Sequence, residues 1–151
     1  MFGHREKMTK NWILLCMFCS FGLVMPAIAA ADVYVIMSNQ SDIQELSKEE
    51  VRYIYFSKIL TIDNKPVNLI AYDLEDENIR SSFYKSVSGK SLRQMSSYWA
   101  RMVYSGRGKP PEALKVEEML SKVLENPNAI GYVPSMDVIQ GQAVSVIYHI
   151  E

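Results

Sequence analysis

The chain has few of the side chains on which many catalytic and metal sites depend. Its 151 residues include two cysteines and two histidines, and Cys16, Cys19 and His4 all lie in the first 31 residues. The remainder therefore contains no thiol, and His149 is its one imidazole. Cysteine–histidine zinc sites and Ser–His–Asp or Cys–His catalysis need more than this. We therefore predict no metal centre, no cofactor and no enzymatic activity.

Residues 1–31 have the three parts of a secretory signal peptide. A basic start is followed by an uncharged apolar run over residues 12–25 and then by two small-residue A-x-A sequences, at 27–29 and 29–31. The apolar run is shorter than the roughly 20 residues that usually span a bilayer, although an uncleaved anchor is the alternative. We predict cleavage near 29/30 or 31/32, a periplasmic location, and a mature form that does not span the membrane.

Acidic residues slightly outnumber basic ones once that segment is set aside. The full chain has 16 Lys and Arg and 17 Asp and Glu, and residues 1–31 hold three of the former and one of the latter. The remaining net charge of about −3 does not indicate nucleic-acid binding. Residues 32–151 are enough for one domain with a sizeable core, but not for two.

Hydrophobic patterns and capping signals alternate along this domain. Strands are predicted at 33–37, 67–72, 130–133 and 144–150, the last with His149 on an edge or solvent face. Capping boxes at Ser47 and Ser91 open two helices, a third runs from Glu77 to a stop at Gly89, and a fourth from Pro110-Pro111 to Glu125. The predicted fold class is α/β, a three-layer sandwich with a small mixed sheet flanked by helices.

Two apolar sets are expected to bury the last two helices against the sheet. In the helix that begins after Ser91, the stripe consists of Leu92, Met95, Trp99, Met102 and Val103. In the helix expected after Pro111, it consists of Leu114, Met119, Leu120, Val123 and Leu124.

A cationic segment runs from Lys85 to Pro111, with six Lys and Arg residues and no Asp or Glu. Arg93 and Arg101 share one helix face with Ser97, because the three are spaced four residues apart. The segment predicts an anion site or a docking surface for an acidic partner, with candidate residues Arg93, Arg101, Arg107 and Lys109. An ordinary solvated face is the alternative, as is an internal pairing of Arg101 with Asp73 or Glu75. Three tyrosines are either secondary contacts or packing: Tyr98, Tyr104 and Tyr132.

Four segments, read in order, resemble the phosphate-type periplasmic substrate-binding proteins of ABC transporters. They are Leu46-Ser47-Lys48-Glu49-Glu50, Tyr55-Phe56-Ser57-Lys58, Arg80-Ser81-Ser82-Phe83 and Asn126-Pro127-Asn128-Ala129-Ile130-Gly131-Tyr132-Val133. Residues 98–111 are similar to a subgroup of short, stand-alone members. The resemblance implies a type 2 periplasmic-binding-protein-like fold. Full-length members have two lobes, and this chain is long enough for about one.

The resemblance also implies where an anion-binding turn would lie, at Glu77, Asn78 and Ile79. These residues depart from the family's serine-glycine-threonine turn, and carboxylates at Asp73, Glu75 and Asp76 lie just upstream. Carboxylates satisfy the same free amides and helix dipole that phosphate would use. We therefore expect a solvated, helix-capping acidic turn here, with a calcium site as a minor alternative, and no phosphate site.

From the resemblance, we predict a non-enzymatic exported protein that serves as an accessory or sensor-partner binding module in the cell envelope. Its expected partner is a sensor, a porin or an ABC permease. The alternative is a small-oxyanion (phosphate) binding component of an ABC importer. The identity of the partner, any small ligand, the oligomeric state and the choice between periplasm and cell surface stay open.

The first testable prediction concerns processing. Because A-x-A sequences precede both Ala30 and Asp32, intact-mass measurement of protein from the periplasmic fraction is expected to give an N-terminus at Ala30 or Asp32. Recovery of the whole chain from membranes, still beginning at Met1, would contradict this prediction.

Overall fold

The computed structural model describes residues 32–56, 60–62 and 65–150. The predicted signal peptide therefore lies outside the described residues, as do Ser57 and Lys58 of the second resembling segment. The strands are β1 (Val33–Ser38), β2 (Leu60–Ile62), β3 (Lys65–Val67), β4 (Ile70–Leu74), β5 (Glu112–Leu114), β6 (Ala129–Val133) and β7 (Val144–Ile150). The helices are α1 (Lys48–Tyr55), α2 (Glu77–Ser88), α3 (Leu92–Tyr104) and α4 (Val116–Glu125), with a 3₁₀ turn at Met136–Ile139.

Five of these strands form one mixed sheet in the order β5-β4-β6-β1-β7. Strand β4 runs parallel to both β5 and β6, whereas β1 runs antiparallel to both β6 and β7. The other two strands, β2 and β3, pair with each other as a hairpin. The predicted α/β class with a small mixed sheet is confirmed.

Strand β6 lies at the centre of the sheet and is buried along its whole length. Successive side chains of a strand point to opposite faces. At Gly131 the sheet meets Met119 and Val123 of α4, and at the next residue Tyr132 stacks on Phe83 of α2, with ring centroids 4.1 Å apart. Helices therefore cover both faces, which gives the three expected layers.

The predicted helix boundaries at Ser47, Gly89 and Ser91 are confirmed by their hydrogen bonds. The Ser47 amide donates to the Glu50 carboxylate at 2.7 Å, and the Ser91 amide donates to the Gln94 side chain at 2.9 Å. Such caps satisfy amides that have no partner within the helix, and each contributes about 1 kcal/mol. Gly89 ends α2 with φ of 68°, a left-handed conformation that glycine adopts without a Cβ clash.

Two predicted elements were wrong in their boundaries. The run predicted as one strand over 67–72 is divided, because Val67 belongs to the β2–β3 hairpin and a separate strand, β4, begins at Ile70 and continues to Leu74. The helix expected after Pro111 begins at Val116 instead. Residues 112–114 extend the sheet as β5, since their backbone pairs with β4, and Leu114 is buried there rather than in the helix.

The buried face of α3 is narrower than predicted. Met95 and Trp99 lie in the core, and Leu92 and Met102 pack against it. Val103 is 55% exposed, so its assignment to the buried stripe was wrong.

Every helix within the described residues is too short or too polar to cross a bilayer.

At Gly131, strand β6 and helix α4 lie so close together that there is no room for a side chain. A Cβ there would lie 2.6 Å from Sδ and 2.7 Å from Cγ of Met119. We expect Gly131→Ala to destabilise the domain by about 1–3 kcal/mol, because α4 must shift or Met119 must leave its rotamer. Urea unfolding measures this free energy.

A double-mutant cycle with Met119→Ala identifies the cause. If the clash is responsible, the two substitutions together will cost less than the sum of the single costs. Strict additivity would show that α4 does not constrain this position.

Candidate functional site

The carboxylate of Asp73, near the carboxyl end of β4, is buried and fully hydrogen-bonded. The Tyr84 hydroxyl of α2 donates to Oδ2 at 2.9 Å, and the Tyr132 hydroxyl of β6 donates to Oδ1. The Leu74 amide also donates to Oδ1, at 3.0 Å. Asp73 is 7% exposed. One side chain therefore links β4, β6 and α2 inside the core.

The expectation that Asp73 belongs to a solvated acidic turn was wrong. A carboxylate this deeply buried is tolerated when hydrogen bonds replace the lost water. Burial raises the pKa of Asp73, against the opposing effects of the two tyrosine hydroxyls and the Arg80 guanidinium. Burial likewise raises the pKa of Tyr84 and of Tyr132, so both hydroxyls stay protonated and act as donors. The Asp73 cluster therefore holds β4, β6 and α2 together and is not an open binding site.

Sequence reasoning missed the Asp73 cluster because its donors come from distant positions. Tyr84 is 11 residues away and Tyr132 is 59 residues away. The one usable signal was an aspartate directly after a predicted strand, and that pattern also describes an exposed turn.

Asp76 caps α2, whose first turn is formed by the three positions that the resemblance assigned to anion binding. Its Oδ1 accepts hydrogen bonds from the Asn78 amide at 2.9 Å and from the Ile79 amide at 3.1 Å. Glu77 adds a second carboxylate to this turn, and it lies 3.6 Å from Arg80. The amides that would hold an oxyanion are therefore already occupied by the protein's own carboxylate.

The acidic turn does not assemble into a cation site. Within residues 32–56, 60–62 and 65–150, no group of three or more His, Cys, Asp or Glu side chains is placed to hold a metal ion. Both oxygens of Asp73 and Oδ1 of Asp76 accept the hydrogen bonds described above.

A concave surface of about 590 Å³ lies along the outer side of α3. We call it the α3 basin, and it is lined by Lys90, Ser91, Arg93, Gln94, Ser97, Tyr98 and Arg101. Tyr98 forms the inner wall of the basin. Its hydroxyl donates a hydrogen bond to the Phe56 carbonyl at 2.8 Å, which holds the ring in place. In the described part of the chain, neither Arg93 nor Arg101 forms an ion pair with a carboxylate. The basin is therefore cationic, and among the described residues Arg101 forms an ion pair with neither Asp73 nor Glu75.

The four predicted binding residues do not lie together. Arg93 and Arg101 line the α3 basin. Arg107 lies beyond the end of α3, where its backbone amide donates to the Met102 carbonyl at 3.0 Å. Lys109 lines a separate groove of about 910 Å³ between the β3–β4 connection and residues 108–112.

The three secondary tyrosines occupy different environments. Tyr132 is part of the core, and Tyr98 is half-buried. Tyr104, the last residue of α3, is 95% exposed. Of the three, Tyr104 is the one that offers a whole ring to another molecule.

His149 lies on β7, at the edge of the sheet, as the sequence predicted. Its ring stacks on Tyr34 with centroids 4.4 Å apart, and its Nε2 lies 3.8 Å from Oδ1 of Asp32.

A pH-dependent stability experiment tests the Asp73 cluster. Burial raises the pKa of Asp73 above its unfolded value of about 3.9, so the folded protein binds this proton more tightly. The resulting stabilisation is complete below the unfolded pKa and is lost as pH rises through the folded pKa. Relative to Asp73→Asn, the wild type is expected to be more stable by about 1–3 kcal/mol in mild acid, with a smaller advantage at pH 8.

The control is Asp42→Asn, which removes an exposed carboxylate that makes none of the cluster's hydrogen bonds. Chemical unfolding of all three proteins between pH 4 and 8 gives the comparison. A constant difference between wild type and Asp73→Asn across that range would contradict the assignment.

Comparison with known proteins identifies the fold. A solved structure described as a phosphate ABC transporter substrate-binding protein with bound phosphate, from Clostridium perfringens, matches with a TM-score of 0.51 and 18% identity. The match covers 78% of this chain and 45% of that one, so the chain spans less than half of that protein's length. No family model and no curated protein matches the sequence. The α/β fold is that of one lobe of a periplasmic binding protein.

Proposed function

We propose that this chain is a non-enzymatic binding module, exported to the cell envelope, which acts as an accessory or sensor-partner protein. It contacts another protein through the cationic α3 basin rather than carrying phosphate. The partner is an envelope protein such as a sensor, a porin or an ABC permease.

The fold supports a binding role. The solved structure that it matches is of a phosphate-binding protein, and the match extends over less than half of that protein. The α3 basin lies within the described residues and is open to contact by a second protein.

The observation that carries the proposal is the cap on α2. An oxyanion at a helix N-terminus needs free backbone amides and a positive local field. Here Asp76 accepts from the amides of Asn78 and Ile79, and its negative charge, together with that of Glu77, repels an incoming anion. The N-terminus of α2, where the resemblance would locate phosphate, therefore disfavours phosphate binding.

One observation favours the alternative function, a small-oxyanion component of an importer. Lys90, Arg93 and Arg101 converge on the α3 basin, and arginine pairs well with phosphate oxygens. Their side chains are exposed, however, and ion pairs in water contribute little. A wide cationic surface is better suited to several carboxylates of a protein than to one small anion.

Thermal unfolding with phosphate distinguishes the two functions. The protein purified after export is expected to melt at the same temperature in 0 and about 10 mM phosphate at constant ionic strength. A ligand at 100 times its dissociation constant would stabilise it by about 2.7 kcal/mol, a shift of several degrees.

The Clostridium perfringens protein is the positive control, since its structure contains bound phosphate. A saturable rise in melting temperature with a micromolar midpoint would refute the accessory role and support the importer role.

A further inference from the structure

We infer that the outer face of α3 binds an acidic α-helix of the partner protein, with carboxylates about two helical turns apart. This inference rests on the proposed function, and it specifies the chemistry and the spacing of the partner's contact segment.

The segment that contains α3 carries charge of one sign only. The 27 residues from Lys85 to Pro111 contain six Lys and Arg and no Asp or Glu. Within the described residues, neither Arg93 nor Arg101 has an acidic ion-pair partner. A partner that presents carboxylates is thus complementary to this surface, and a basic partner is repelled.

The spacing of the two arginines on α3 determines the spacing of the carboxylates that they can pair with. Arg93 and Arg101 are eight residues apart on one face of α3, and at 1.5 Å per residue this places them about 12 Å apart along the helix axis. Ser97 lies between them, with its hydroxyl turned back to the Arg93 carbonyl at 3.1 Å. The short side chain at the centre leaves room for another helix to approach between the two arginines.

The backbone of α3 favours a partner segment that is itself helical. The amides and carbonyls in the middle of α3 are already paired within the helix, so this face offers no ladder of hydrogen bonds to an extended chain. An extended segment that lay here would leave its own backbone groups unpaired on the protein side. A helix arrives with those groups satisfied, which favours a helical partner.

Tyr104 supplies an apolar contact at the end of this face. It follows Arg101 by three residues, so the two are neighbours on the helix surface, and it is 95% exposed. Tyrosine and arginine are the residue types that dominate binding energy at protein interfaces. We therefore expect the partner helix to carry an apolar side chain beyond its second carboxylate.

The test uses two stapled helical peptides of 18 residues and identical composition. In the patterned peptide, four glutamates lie on one face at positions 4, 8, 11 and 15, a spacing that repeats with the helix period. In the scattered peptide, the four glutamates are distributed around the helix. Fluorescence anisotropy measures binding of each labelled peptide to the exported protein.

We expect the patterned peptide to bind more tightly than the scattered one, and its affinity to fall as salt rises. Arg93→Ala/Arg101→Ala should weaken binding about tenfold or more, and Tyr104→Ala should weaken it by a smaller factor. The matched control is Lys48→Ala/Lys122→Ala, which removes two exposed positive charges from α1 and α4 and should leave the affinity within about twofold. Circular dichroism melts verify that each variant is folded.

Three results would overturn the inference: equal affinity for the two peptides, an equal loss in the lysine control, or no binding of the patterned peptide at millimolar concentration. Failure of the proposed function gives a different result, since it appears as stabilisation by phosphate. A partner that binds wild type and Arg93→Ala/Arg101→Ala equally would leave the accessory role standing but contradict the assignment of its binding surface to α3.

Discussion

The position of α2 on the sheet depends on one buried carboxylate. Asp73 is held by hydroxyls from α2 and β6 and by the amide that follows it. Tyr132, one of those donors, also stacks on Phe83, so the polar link and the aromatic core position the same elements. Because a buried donor or acceptor left without its partner costs about 1–3 kcal/mol, β4, β6 and α2 cannot shift independently. The start of α2 therefore follows β4 at a fixed place.

The groups next to the N-terminus of α2 determine whether this helix end can bind an anion. In one lobe of a binding protein, a helix N-terminus next to a strand end is a suitable anion site, provided that its amides are free. Here Glu75 follows β4, and Asp76 caps α2, because its carboxylate accepts hydrogen bonds from two backbone amides. A shared fold does not by itself transfer a ligand, because binding depends on the groups present at the site, and here Asp76 occupies two of the amides at this helix terminus.

The sequence predicted the elements that carry local signals. Serine capping boxes and a glycine stop marked the starts of α1 and α3 and the end of α2, and apolar runs marked β1, β6 and β7. It failed at β5, where three residues are too few to show a period and Pro110-Pro111 imitates a helix start. Their conformation follows from pairing with β4, which is a tertiary contact. The burial of Asp73 was missed for the same reason.

For the candidate site, the four-residue spacing placed Arg93 and Arg101 on one helix face. It could not show that Lys109 lines a different groove, because that groove is formed with the β3–β4 connection.

Helix α3 has an inner side that packs against the core and an outer side that carries positive charge. Met95 and Trp99 attach its inner side to the core, and these apolar contacts do not involve the outer side. The cations on that outer side contribute little to stability, because exposed charges are well solvated. Substitutions there change the surface potential without disturbing the sheet, whereas substitutions in the Asp73 cluster change the fold itself. The two sides of α3 are therefore under separate constraints: the inner side must fit the core, whereas the charge of the outer side can change without affecting that fit.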